Sequence, residues 1–431
     1  MLMSTLIRRL ATVAVALVAG WFAWRWLFHP QHLFDLRIYI SAEKFWLAGH
    51  ELYDYAQPDA LQGSLYFTYP PFAALLLAPL GMLPLGASFA VVTLGTIACV
   101  GLTTWWVTAP LARRLSIPRW YALGLALPVV FLIEPIRTTL AFGQINMFLV
   151  ALILLDLLVL VPRGSRFAGI GIGLATAIKL TPGLFIVYLL VTRRFREAAV
   201  AAGTAAGATL LAALVAPNAS RDFWLSALWD TSRVGRTDYT ANQSINGLLS
   251  RLAAPDAPDQ KLWLGLALVV TVLGLWRAAI AVRAGDELTG LAIAGLTAGL
   301  ISPITWVHHM YWFVPAIAAL VLAMVGGDPA RRLWLGAGAL ATWLIAVYGV
   351  DTFIDWGVAQ RPTPGMREFL LRNALVLLSL VLVMLIPVGE SLLPRRTRTE
   401  EQVTDEHQVE VHGESEDRPG SGPIVRYVGE A

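Results

Sequence analysis

The sequence predicts an all-α polytopic membrane protein with about twelve transmembrane helices and an amphipathic helix in its first outer loop. Three observations predict it. The 431 residues are 57% hydrophobic and 14% charged, whereas a soluble globular domain carries roughly 25% charged residues. Apolar runs recur along the chain near the length of about 20 residues that a spanning helix needs. Arginines gather in short clusters between those runs, the pattern of inward-facing loops.

The runs lie at 8–28, 87–109, 120–135, 145–161, 167–180, 182–193, 198–216, 261–283, 288–303, 311–326, 333–350 and 369–388. Arg8 and Arg9 precede the first, which lacks a small-residue cleavage site and reads as an uncleaved helix. With the N-terminus cytoplasmic, each cluster falls inside. These clusters are Arg113, Arg114 and Arg119, then Arg163 and Arg166, then Arg193, Arg194 and Arg196, then Arg283, then Arg331 and Arg332. Arg395, Arg396 and Arg398 open the tail on the same side. This count requires that 71–83 does not span, and Pro70, Pro71, Pro79 and Pro84 suit a re-entrant or interfacial helix there. Residues 1–394 then form one transmembrane domain. The stretch 395–431 has the composition of a disordered cytoplasmic tail.

The net charge of +3 is spread as topology signals, which excludes a nucleic-acid surface. A single cysteine, Cys99, excludes a disulfide framework and a thiolate metal site. The outer segments hold the chemistry: 29–69, 136–146, Lys179 to Pro182, 217–260, 304–310 and 351–368. A site on the outer face follows.

In the first of these, Arg37, Ser41 and Lys44 recur at helical spacing between Leu36 and Ala48, with Ile38, Tyr39, Phe45 and Trp46 opposite. Gly49 ends the helix, and Asp35 stands at its start as an N-cap or as a general base. "YFTYPPF" brings Tyr69 to the entry of the 71–83 segment. "EPIRTTLAFGQINMF" places Glu134, Arg137, Gln144 and Asn146 around an outer turn. The two amides form either a satisfied polar turn or a partner for sugar hydroxyls, and Arg137 either pairs with Glu134 or meets a phosphate. Lys179, before Pro182, either snorkels or meets a phosphate as a point charge. Asn242, with Gln243, Ser244 and Asn246, reads as a cluster facing a polyol. His308 and His309 are consecutive, so their side chains diverge by about 100 degrees on a helix. They do not make a two-histidine metal site.

Taken together and in order, Asp35 with Tyr39, "GHELYDY", "YPP", "GQIN", "KLTP", "NQS" and "SPITWVHH" resemble the polyprenol-phosphate-mannose-dependent mannosyltransferases of glycosyltransferase family 87. The likeness is to the actinobacterial enzymes of phosphatidylinositol mannoside and lipomannan synthesis. It implies the GT-C fold, with the active site at the outer surface of the plasma membrane. It implies a polyprenol-phosphate-mannose donor, a glycolipid acceptor and contact with membrane lipids, with no cofactor and no metal. Asp35 falls at the position of the family's catalytic acidic residue, which implies the general base, and the functional histidine falls in the His308–His309 pair, with His308 favoured. His309, Lys179, Arg137, Gln144, Asn146, Asn242 and Tyr69 fall among the expected substrate contacts. The first loop lacks the paired aspartates of several other GT-C families. Transfer of another sugar, such as arabinofuranose, and a lipid or polyol transporter are the alternative readings. Transporters place polar residues near the midplane, whereas here they gather at one rim.

Overall fold

The structure is a computed structural model. It describes residues 33–59, 63–350 and 365–388, together with Thr12–Ala14, Leu17, Gly20 and Trp21, which are helical. Most of the first expected span, most of the 351–368 loop and the 395–431 tail lie outside the described residues.

Helix α1 (Phe34–Leu47) is followed by a short hairpin of β1 (Ala56–Asp59) and β2 (Gly63–Tyr66), paired antiparallel. This hairpin departs from the all-α expectation. It lies between the apolar runs 8–28 and 87–109. Next come α2 (Pro71–Gly81), α3 (Leu85–Val107), α4 (Ala109–Arg114), α5 (Arg119–Leu132), α6 (Glu134–Phe142) and α7 (Asn146–Leu155). They are followed by α8 (Ile170–Ile178), α9 (Leu184–Val191), α10 (Phe195–Val215), α11 (Pro217–Asp222) and α12 (Ile245–Ala253). The last are α13 (Gln260–Arg283), α14 (Glu287–Ile301), α15 (Phe313–Gly326), α16 (Pro329–Tyr348), α17 (Gly365–Arg372) and α18 (Ala374–Leu385).

Among the described residues, four continuous helical segments are long and apolar enough to cross a membrane: Leu85–Arg114, Asn146–Arg163, Phe195–Val215 and Gln260–Arg283. The pairs α5–α6 and α17–α18 each bend by 71°, and counting each as one span gives six. The chain is therefore a helical membrane protein. The expected spans 167–180, 182–193, 288–303 and 311–326 are helical but shorter than expected. At about 1.5 Å per residue, none of these four reaches alone across a hydrocarbon core about 30 Å thick. The 11 residues of α2 are also too few to cross.

Helix ends follow the sequence. Asp259, Asp286 and Asp328 each accept backbone N–H groups at the starts of α13, α14 and α16. Proline opens α2, α11 and α16, where its missing N–H has no helical partner to lose. Arg277 in α13 donates to the carbonyls of Met384 and Ile386, groups that the end of α18 leaves without intrahelical partners.

The buried side chains form two principal cores. The larger holds Leu149, Val150, Phe185, Leu291 and Phe313 from the helices after residue 146, with Val100, Val107, Val130, Ile136 and Leu140 from those before it. A smaller one holds Leu36, Tyr39, Tyr53, Phe67, Tyr69, Leu77 and Phe223, from α1, the hairpin region, α2 and the segment after α11. Ile145 belongs to the smaller core and Met147 to the larger, so the seam between them runs through Asn146.

Candidate active site

Asp35 lies in the first turn of α1, but it does not cap the helix. Leu33 holds the N-cap position, in a left-handed conformation and without a side-chain cap. The Leu33 N–H donates to Ala141 O at 2.8 Å, which pins the start of α1 to the end of α6. Gly143 then reverses the chain with φ 67°, and a Cβ there would sit 2.7 Å from Leu36 Cβ. Only glycine fits both the angle and the approach. That close approach delivers Gln144 to the half-buried Asp35, and Gln144 Nε2 donates to Asp35 Oδ2 at 2.5 Å.

Gln144 is a hub. Its Oε1 accepts from Tyr69 Oη and from Asn146 Nδ2, each at 3.2 Å. One turn after Asp35, Tyr39 brings its hydroxyl to 3.0 Å from Tyr69 Oη. Asn146 Oδ1 accepts from Lys179 Nζ at 3.2 Å. Lys179 stands in extended backbone just beyond α8, where the break before Pro182 frees it from the helix. Its Nζ lies 2.7 Å from His309 Nε2 and over the Tyr69 ring at 5.3 Å.

Five of the sequence candidates therefore meet around Asp35: Tyr69, Gln144, Asn146, Lys179 and His309. His308 is adjacent and buried, its ring edge-on to His309 at 4.6 Å and to Phe142 at 5.9 Å. Neither ring nitrogen of His308 has a hydrogen-bond partner. Of the two histidines, it is His309 that reaches Lys179.

Two candidates are occupied elsewhere. Arg137 donates to the carbonyls of Leu132 and Val347, while Glu134 accepts from the Val350 N–H at 3.0 Å. Together they bind α6 to the end of α16. Asn242 is fully buried and its amide is committed to backbone. Its Oδ1 accepts from Thr305 N at 2.9 Å, and its Nδ2 donates to Thr237 O at 2.9 Å and Pro303 O at 3.3 Å. Gln243 N donates to Thr305 O at 2.7 Å. The expected polyol-facing cluster is thus turned inward, as a clamp on the 303–306 segment that leads into the histidine turn. Sequence reasoning missed the clamp's anchor, Arg251. It is buried, and it donates to Asn373 Oδ1, Tyr239 O and Asn242 O. Tyr39, read in the sequence as part of the apolar side of the helix and of the family motif, joins the cluster through Tyr69, its spacing of four residues from Asp35 putting both on one helix face.

Burial pushes the Asp35 carboxyl up to about 6. It is opposed by the Gln144 hydrogen bond and, when that group is charged, by Lys179. Burial also lowers both histidines well below their usual range, and Lys179 adds to the effect when it is charged. Both rings are therefore neutral at pH 7. Among the described residues, no group of three or more His, Cys, Asp or Glu could hold a metal ion. A cavity adjoins this polar cluster, lined by Asn146, Lys179, Thr305 and His309 together with the apolar Leu149, Ile153, Phe185 and Trp312. A charged or polar head with an apolar tail fits such a lining.

Residues 67–303 match the family model for glycosyltransferase family 87. A relative from Mycobacterium tuberculosis (strain ATCC 25618 / H37Rv) is 33% identical over 326 residues, covering 71% of this chain and 74% of its own. It is named a polyprenol-phosphate-mannose-dependent alpha-(1-2)-phosphatidylinositol mannoside mannosyltransferase. A second, from Mycolicibacterium smegmatis (strain ATCC 700084 / mc(2)155), is 31% identical over 354 residues, covering 80% of this chain and 83% of its own. Its name specifies a phosphatidylinositol pentamannoside mannosyltransferase with the same donor and linkage. No solved structure matches. The family match covers more than half of the chain and the relatives more than two thirds of it, so the chain belongs to glycosyltransferase family 87 and is a glycosyltransferase.

Proposed function

We propose that this protein transfers mannose from polyprenol-phosphate-mannose to a phosphatidylinositol mannoside or a lipomannan-type acceptor, forming an α-1,2 linkage, with Asp35 as general base. One observation carries the reading. A half-buried carboxylate is joined by hydrogen bonds to a lysine–histidine pair at the mouth of an apolar cavity. The names of the relatives supply the donor, the acceptor class and the linkage.

The donor's mannose is β-linked to phosphate and the product is an α-mannoside, so the anomeric carbon inverts. The acceptor oxygen attacks C1 while the C1–O bond to phosphate breaks, and the electron pair stays on the phosphate oxygen. The hydroxyl proton passes to Asp35. Its carboxyl, held near 6, is ionised at neutral pH and is a stronger base than an exposed aspartate. Lys179 and His309 stand where they would meet the departing phosphate. The prenyl chain then runs along Leu149, Ile153, Phe185 and Trp312. Tyr69, Gln144 and Asn146 hold the base in place, and Arg137 and Asn242 support the site from outside it. His308, edge-on to His309, packs behind that ring.

The fold in this reading is GT-C, with about twelve crossings, the site on the outer face and both termini cytoplasmic. The shorter helices cross in pairs, and α1 lies at the membrane surface. Membranes from an overexpressing host should transfer radiolabel from polyprenol-phosphate-mannose to a phosphatidylinositol mannoside, and linkage analysis should give α-1,2-mannose. Label appearing only from a polyprenyl-phospho-arabinose donor would replace the sugar assignment.

Orientation has its own test. In a Cys99→Ser background, cysteines at the exposed positions Asp54 and Asn218 should react in intact cells with an impermeant thiol reagent, and one at the exposed Arg166 should not. The reverse pattern would turn the protein over and move the site inside.

A further inference from the structure

The hydrogen bonds around Lys179 have a direction that the chemistry of their ends fixes. The Trp306 backbone N–H donates to His309 Nδ1 at 3.2 Å. A backbone N–H only donates, so Nδ1 carries a lone pair and the neutral ring keeps its proton on Nε2. That Nε2 lies 2.7 Å from Lys179 Nζ. An ammonium has three donors and no acceptor, so it would set one N–H against another. An amine has a lone pair to receive the Nε2 proton and still donates to Asn146 Oδ1 at 3.2 Å. At the other end a carboxylate only accepts, so Gln144 must turn its NH₂ to Asp35 and its oxygen to Asn146. Five hydrogen bonds then run one way, from Trp306 through His309, Lys179, Asn146 and Gln144 to Asp35.

We propose that Lys179 rests as an uncharged amine and takes up one proton from solvent when a lipid phosphodiester enters the cavity beside it. The inference rests on the donor reading above. The titratable groups around Nζ are Asp35 from α1, Tyr69 from the segment before α2, and His308 and His309 from the 304–310 segment. Tyr69 and the two histidines are neutral at rest, and the Asp35 carboxylate favours the ammonium less than burial opposes it. Desolvation also favours an amine over an ammonium. When the anion arrives, the Nζ lone pair binds a proton and the ammonium turns to a phosphate oxygen. His309 Nε2–H is then free to donate to a second phosphate oxygen, while Trp306 N–H still holds the ring. The cation thus forms only when its partner is present, and Asp35 is left without an ammonium in the empty site.

Calorimetry tests this with purified protein in lipid nanodiscs, titrated at pH 8 with methyl farnesyl phosphate in two buffers of different protonation enthalpy. The probe is a phosphodiester and does not itself titrate near that pH. The wild type should take up close to one proton per probe bound. Asp35→Asn should do the same, because the proton goes to Lys179. Lys179→Arg, already charged, should bind without uptake. Binding by the wild type with no proton uptake overturns the proposal and leaves the donor reading standing. Uptake that persists in Lys179→Arg places the proton elsewhere and also overturns it. Failure of the wild type to bind the probe overturns the donor reading and the proposal together.

Discussion

Asp35→Asn should reduce turnover by roughly 10²-fold or more while the protein folds and binds donor normally. Asparagine keeps the size of the side chain and can still receive the Gln144 Nε2 hydrogen bond on its oxygen. What it loses is the capacity to accept the acceptor's proton. Stability should not suffer, and the sign follows from the titration. The folded carboxyl sits near 6, above its ordinary value of 3.8, so the folded state disfavours the ionised form. That cost appears as pH rises from about 4 through 6, and the amide removes it. Wild-type kcat/KM should fall on the acid side below about pH 6, where Asp35 becomes protonated, and the residual rate of Asp35→Asn should lack that limb. Measured side by side, equal wild-type and variant turnover would end the assignment of Asp35 as base. The search would then pass to Glu43, Glu51, Asp54 and Asp59 in the same loop.

Asn242→Leu should lower both stability and activity without touching any substrate. It strands the Thr305 N–H and the Thr237 carbonyl, which lose their bonds to the amide in a buried setting. Each unsatisfied buried group costs about 1–3 kcal/mol, a large share of the roughly 5–15 kcal/mol that typically separates folded from unfolded. The segment it releases carries Trp306, whose N–H orients the His309 ring. Loss of turnover should therefore exceed what the lost folded fraction explains. Asn242→Asp keeps the acceptor for Thr305 and loses the two donated bonds, so its melting midpoint should fall between wild type and the leucine variant. A leucine variant with the wild-type midpoint and rate would show that the clamp does not position the histidines.

These two residues mark how far the sequence could be read. Asp35, Gln144, Asn146, Lys179 and His309 were visible as polar residues at the ends of apolar runs, where a membrane chain has little reason to keep them unless they are used. Which way each faces was not visible. Asn242 and Asn146 look alike in sequence, yet one amide is spent on backbone and the other joins Lys179 to Gln144. The choice between His308 and His309 depended on a single turn of 3-10 helix, Val307–His309, which aims the second ring at Lys179. Arg137 read as a cation for a phosphate because its partners, the carbonyls of Leu132 and Val347, carry no side-chain signature. The long apolar runs gave four helices of spanning length. The short ones gave helices whose ends depend on packing, as at Gly295, where a Cβ would collide with the Trp312 ring.

The seam between the two hydrophobic cores has an evolutionary consequence. Asp35 and Tyr69 ride on the smaller core, whereas Met147, Phe185 and Trp312 beside the lysine–histidine pair belong to the larger. The half that would receive the acceptor and the half that would hold the donor are thus built from separate packing units, joined at Gln144 and Asn146. Substitutions inside the smaller unit, away from Leu33 and Leu36 where it meets α6, can drift without disturbing the larger. A lineage can therefore change what it glycosylates while keeping its sugar source, and chimeras between relatives of different acceptor preference should tolerate exchange of residues 33–81 when their packing partners Val92, Ile145, Ala216, Ala219 and Phe223 are exchanged with them.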